Sequence, residues 1–98
     1  MKNVVIHSEA ELELWQAVDF YETRYTGLGL DFEKEVSRAL SKIQENPERW
    51  STKKHGARCC LLYRFPYIIY YIELQDVIWI VSIAHTRRKP YYWRSRIK

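Results

Sequence analysis

After Asp76 the chain carries no acidic side chain, and this absence is its most informative feature. Cysteine is scarce as well: the only two, Cys59 and Cys60, are adjacent. Neighbours in a strand point to opposite faces, so these two share neither a metal nor a disulfide within one strand. They read as reduced, partly buried small hydrophobes. No Cys/His spacing resembles a zinc site and no glycine-rich phosphate loop is present, so no metal and no cofactor is expected. No apolar run reaches the roughly 18–20 residues of a membrane span. Nothing at the N-terminus resembles a signal peptide. The expected location is therefore the cytoplasm, with no membrane partner. Repeats, low-complexity linkers and a second-domain boundary are all missing.

What is present is a chain of 98 residues, long enough for one core and one domain over 1–98. Hydrophobic residues make up 47% and charged residues 29%, the balance of a globular chain. The net charge of +4 hides an asymmetry: residues 1–50 carry −4 and residues 51–98 carry +8. A basic working face is expected on the C-terminal half. The segment from His85 to Lys98 concentrates it, with six Lys/Arg (Arg87, Arg88, Lys89, Arg94, Arg96 and Lys98) interleaved with Tyr91, Tyr92 and Trp93. Cations grip phosphate and flat rings stack on bases, so the mixture suits nucleic acid. An acidic protein partner fits it too.

Hydrophobic spacing gives the fold class. Residues 3–7 are β-favouring. Ser8 with Glu11 is a capping-box signature for a helix from about Glu9 to Tyr25, with Ala10, Leu14, Val18, Tyr21 and Tyr25 on one stripe. Gly27 and Gly29 break it. A second helix is expected from Leu30 to Glu45, with Phe32, Val36, Leu40 and Ile43 on one face, ended by Asn46-Pro47. The short connection makes a helical hairpin. Residues 48–56 read as loop. The period then changes, giving strands at Arg58–Arg64, Tyr67–Leu74 and Val77–Ala84 joined by short turns. The expected fold is α+β, in the order β-α-α-β-β-β: an antiparallel sheet with a helical hairpin packed on one face. Ile68, Tyr70 and Ile72 alternate with Tyr67, Ile69 and Tyr71, so both sheet faces are apolar. The face without helices either binds a partner or is covered by loops and the C-terminal segment.

Several strings, in order, resemble the RelE/ParE toxin superfamily of bacterial toxin–antitoxin systems: Tyr21-Glu22, Gly27-Leu28-Gly29, Asn46-Pro47-Glu48-Arg49-Trp50, Arg64-Phe65-Pro66-Tyr67, and the run from Ala84 to Trp93. The resemblance spans nearly the whole chain. It implies a growth-arresting toxin of the kind linked to plasmid stabilisation, or else a non-toxic relic that acts only as an antitoxin-binding module. Its partners would be a cognate antitoxin and either DNA gyrase or the ribosome with its mRNA, and oligomers of toxin–antitoxin heterodimers fit the pattern. The RelE-like branch is a metal-independent endoribonuclease that cuts mRNA on the ribosome, using a base, an acid and arginines around the phosphate. Resemblance to that branch makes His85, Tyr92 and Arg64 the catalytic candidates, with Arg87 and Arg88 on phosphate. This chain departs from it where an arginine follows the tyrosine that opens the second hairpin strand, for Ile68 stands there. A fixed cation of that kind is typically worth ~3–4 kcal/mol of barrier. The ParE-like branch inhibits gyrase without catalytic residues. Resemblance to it, closest in the histidine followed by paired arginines, makes gyrase the expected target. The contact set then comprises Arg58, Arg64, Arg87, Arg88, Lys89, Tyr91, Tyr92, Trp93 and Arg94.

Each of these residues also has an ordinary structural reading. A strand-end histidine such as His85 often bonds a carbonyl, and Tyr91 and Tyr92 either stack on bases or pin the tail. A Trp near a terminus, such as Trp93, most often packs. Arg58 and Arg64 face either solvent or a ligand. His7 and His55 read as surface or strand-end residues, and Trp15 and Trp50 as packing residues.

Overall fold

The computed structural model describes residues 1–97. Its elements are β1 (Asn3–Ile6), α1 (Ser8–Arg24), α2 (Leu28–Glu45), β2 (Arg58–Leu61), β3 (Tyr67–Glu73) and β4 (Val77–His85), with short 3-10 turns at Pro47–Arg49, Lys54–Gly56 and Tyr92–Ile97. One four-stranded sheet has the order β1-β4-β3-β2. Two of its pairings are antiparallel, as expected from the short turns. β1 departs from the expectation by running parallel to β4, with Val4 opposite Ile78 and Ile6 opposite Ile80. The physical reason is the long connection: with the helical hairpin and two strands in between, no turn dictates direction.

The helices start differently from the expectation. The Ser8–Glu11 capping box does not form, because Ser8 is already helical. His7 caps α1 instead, its Nδ1 accepting the Glu9 N–H at 3.0 Å. α2 begins at Leu28, earlier than expected, because Gly27 adopts a left-handed φ of 90° and has no side chain to cap with. Glu22, from the preceding helix, supplies the cap: its carboxylate accepts the N–H groups of Gly27 and Gly29 at 3.0 and 3.1 Å. Gly29 lies against α1 so closely that a Cβ would stand 2.6 Å from the Val18 carbonyl oxygen.

The main core lies between the hairpin and the sheet. Ala10, Leu14 and Ala17 of α1 and Phe32, Val36 and Ile43 of α2 pack on Ile69, Tyr71, Ile78, Ile80 and Ile83. Tyr21, Phe32, Phe65 and Tyr67 form an edge-to-face aromatic group at one end, with centroids 4.9–5.1 Å apart for Tyr21–Phe65, Phe32–Phe65 and Phe32–Tyr67. Two expected members are exposed instead: Tyr25, just past the end of α1, and Trp15, which faces solvent on α1. Trp50 does pack, edge-on to Tyr71. β2 ends at Leu61, and the chain turns through Leu62–Pro66.

The second face of the sheet is covered. A smaller core of Ala57, Val81 and Trp93 packs there with Tyr70, Ile72, Trp79, Tyr91, Tyr92 and Ile97. The C-terminal segment therefore folds over the face that the helices leave bare. Among the described residues no helix is long and apolar enough to cross a membrane, and no group of three or more His, Cys, Asp or Glu gathers as a metal site.

Candidate target-binding site

The site is built on a defect in β4. β1 ends at Ile6, and the last link between them is the His7 N–H to the Ile80 carbonyl at 2.9 Å. Beyond Ile80 this edge of β4 has no strand partner among the described residues, and buried backbone groups left unpaired are costly. A register shift deepens the problem. Tyr70 pairs with Ser82 but Tyr71 with Ile80, so Val81 is the extra residue of a β-bulge. The bulge re-aims Ser82, which is fully buried, toward the tail and the edge.

Glu13 and Arg96 close this edge. Glu13, one turn beyond Ala10 on α1, accepts the Ile83 N–H at 3.0 Å and the Ser82 hydroxyl at 3.1 Å. The Tyr92 phenol donates to the other carboxylate oxygen and lies 2.9 Å from the Ser82 hydroxyl. Arg96 meets Glu13 with both terminal nitrogens, at 3.1 and 2.9 Å, and donates to the Val81 carbonyl at 2.9 Å. The Glu13 and Arg96 side chains are only 12% and 11% exposed. A bidentate pair of this kind fixes geometry as well as charge. It ties the tail to α1 and to the bare strand edge at once.

The pinned tail presents the basic turn. After His85 the chain reverses, with the Thr86 N–H on the Pro66 carbonyl and the Arg88 N–H on the His85 carbonyl. Arg87, Arg88 and Lys89 are exposed there. The Arg88 guanidinium lies 3.9 Å over the Tyr92 ring. Tyr91 adopts a left-handed φ of 59° and Trp93 drops onto Tyr70 with centroids 4.7 Å apart.

Against this geometry, a family model for the ParE toxin of the type II toxin–antitoxin system parDE matches residues 4–90. The chain belongs to the ParE toxin family. It has the fold of a solved chain from the chromosomal ParDE toxin–antitoxin system of P. aeruginosa, with a TM-score of 0.76 and 18% identity over 87% of this chain and 96% of that one. A search of curated proteins finds no match.

In this ParE-family chain the candidate residues separate into groups. Arg87, Arg88, Lys89 and Arg94 are exposed and belong to the tail surface, with Tyr91 half-buried beside them. Tyr92 is half-buried, its phenol held by Glu13. Burial, then its hydrogen bond to Glu13, pushes it up to about 12. Trp93 corrects the expectation of a contact residue: it is fully buried, so its ring is an anchor with no face to offer. Arg58 donates to the Trp50 carbonyl and ties down the loop before β2. Arg64 does not join the tail either. It lies 3.6 Å from Asp31 and over Phe65, while its N–H is held by Glu35, all on the α2 side. Lys98 lies outside the described residues. His85 accepts the Arg87 N–H on Nδ1 at 3.0 Å, with its ring edge-on to Tyr67.

Sequence reading missed Glu13 and Ser82, and took Arg96 only as one of the tail cations. Two signals point to them. Glu13 stands three residues from Ala10 and four from Ala17, an acid among the buried positions of α1. Ser82 is the one polar residue in the run Val77–Ala84. Burial works to raise the Glu13 carboxyl, but hydrogen bonds from Arg96, Tyr92 and the Ile83 N–H, with the Arg96 charge, hold it below its ordinary value.

Proposed function

We propose that this toxin arrests growth by binding, with a gyrase–DNA assembly as its target, and that a cognate antitoxin neutralises it. The observation that carries the reading is the commitment of Tyr92. A phenol pushed up to about 12 and donating to a carboxylate neither takes nor gives a proton readily near neutrality. His85 points the same way: its Nδ1 already accepts the Arg87 N–H at 3.0 Å, so that nitrogen is engaged within the turn and not open to a substrate. Arg64, turned to α2, stands apart from the tail cations. A binder needs only cations and rings on a rigid support, which the clamp provides.

The antitoxin reading rests on exposed apolar surface. Leu12, Trp15 and Phe20 are exposed on α1. A groove of about 350 Å³ runs between α2 and the edge strand β2, with Leu61 and Tyr63 on one wall and Arg38, Lys42 and Arg64 at its rim. A disordered acidic segment that folds on binding suits such a groove. The test begins with induction of the chain alone, which should stop growth and be reversed by co-expression of the antitoxin. Purified protein should then inhibit gyrase supercoiling. Codon-positioned RNA 5′ ends after brief induction, with gyrase unaffected, would instead establish the ribonuclease.

A further inference from the structure

The turn Lys54–Gly56 has no part in the clamp, yet it is strained and charged. His55 adopts a left-handed φ of 63°, and Tyr91 one of 59°. Non-glycine residues hold such conformations only where their surroundings over-determine them, and they gather at functional sites. Here the two strained residues meet. The His55 and Tyr91 rings stand edge to face with centroids 5.5 Å apart, and the Lys54 ammonium lies 5.7 Å from the Tyr91 ring. His55 and Arg94, with Ser95 and Ile97, line a hollow of about 380 Å³. Lys53 adds its charge nearby, close enough to act on the Cys59 thiol of β2. Among the described residues no carboxylate pairs with Lys53, Lys54 or Arg94. Like charges held together without counter-charge favour an anion from outside.

We infer that the loop residues Lys53, Lys54 and His55, joined to Tyr91 and Arg94 of the tail, form a phosphate-contact surface for the DNA backbone. The inference deepens the proposed function by giving this chain its own hold on the DNA. It rests on that reading only in the choice of DNA. The lysines supply charge, His55 and Tyr91 a ring edge against the sugar–phosphate strand, and Ser95 a hydroxyl donor. Backbone contacts of this kind position a protein without reading sequence.

The test uses the full chain, a short DNA duplex and fluorescence anisotropy, without gyrase. Lys53→Ala with Lys54→Ala should weaken binding about tenfold at low salt, and two lost phosphates should flatten the slope of log K against log salt by roughly 1.8. Both lysines are exposed, so the variant should keep its thermal unfolding profile. Unchanged affinity and slope in that variant, or no binding of the unsubstituted chain at about 50 mM salt, would overturn the inference. So would a variant that binds DNA normally but has lost gyrase, which makes the patch a protein contact. Lysine-dependent DNA binding by a chain that leaves gyrase untouched would sink the target reading while the phosphate surface stands.

Discussion

Substituting Glu13 by alanine should release the tail. The carboxylate accepts from Tyr92, Ser82, the Ile83 N–H and both terminal nitrogens of Arg96. Its loss leaves a guanidinium that is 11% exposed with only the exposed Glu9 carboxylate, 3.9 Å away, as counter-charge. Breaking a buried pair in this way typically costs about 3–5 kcal/mol. The alternative is for the tail to peel away, which exposes Trp93. At ~200 Å² and ~25 cal/mol per Å², that costs about 5 kcal/mol as an upper bound. The two routes agree, so a loss of about 3–5 kcal/mol is expected, and 3 kcal/mol corresponds to roughly 12–24 °C in Tm for a domain of this size. Urea unfolding measures the loss, and hydrogen exchange at Ile83 locates it. Arg96→Ala should behave alike, and the double variant should lose much less than the sum. The carboxyl is held below its ordinary 4.5, so its stabilisation is present above that value and disappears as pH falls through the lower folded one. Glu13→Gln should remove that acid dependence. A loss under about 1 kcal/mol, with Ile83 exchange unchanged, would refute the clamp.

Alkali should act on the same network in the opposite sense. The Tyr92 phenol ionises near 10 when unfolded and about 12 when folded, so its contribution is complete below pH 10 and fades as pH rises through 12, which ultraviolet difference spectra of a Tyr92→Phe variant would isolate. Gly29→Ala should cost about 1–3 kcal/mol by thermal melt, because its Cβ would stand 2.6 Å from backbone of α1 and the hairpin must open. Leu61→Asp with Tyr63→Ala should weaken antitoxin binding in calorimetry by tenfold or more while leaving gyrase inhibition intact, since both side chains are exposed on the groove wall.

Local pattern carried most of the fold into the sequence. The 3.6-residue spacing of Phe32, Val36 and Ile43 marks the buried face of α2, and the β-rich runs mark β3 and β4. Long-range facts were not legible. The parallel β1–β4 pairing depends on how a long connection closes, and the bulge at Val81 on how two strands fall into register. The candidate site was legible by composition but not by role. Six cations and three rings in one segment mark a basic surface, yet Trp93 and Arg96 belong to the support. Their partners, Tyr70 and Glu13, lie 23 and 83 residues away, beyond any local pattern. His55 read as an ordinary loop residue because a left-handed backbone leaves no mark in composition.

A supercoiling assay with purified gyrase, comparing the intact chain with Arg87→Ala/Arg88→Ala, puts the greatest strain on the idea of a toxin that works by holding its victim. Both arginines are exposed on the turn that the clamp supports, so the variant should stay folded. Inhibition by the intact chain, loss of inhibition in the variant, and no cut message in either case are the expected results. Supercoiling that proceeds undisturbed beside cleaved mRNA, or a variant as potent as the intact chain, would contradict that idea.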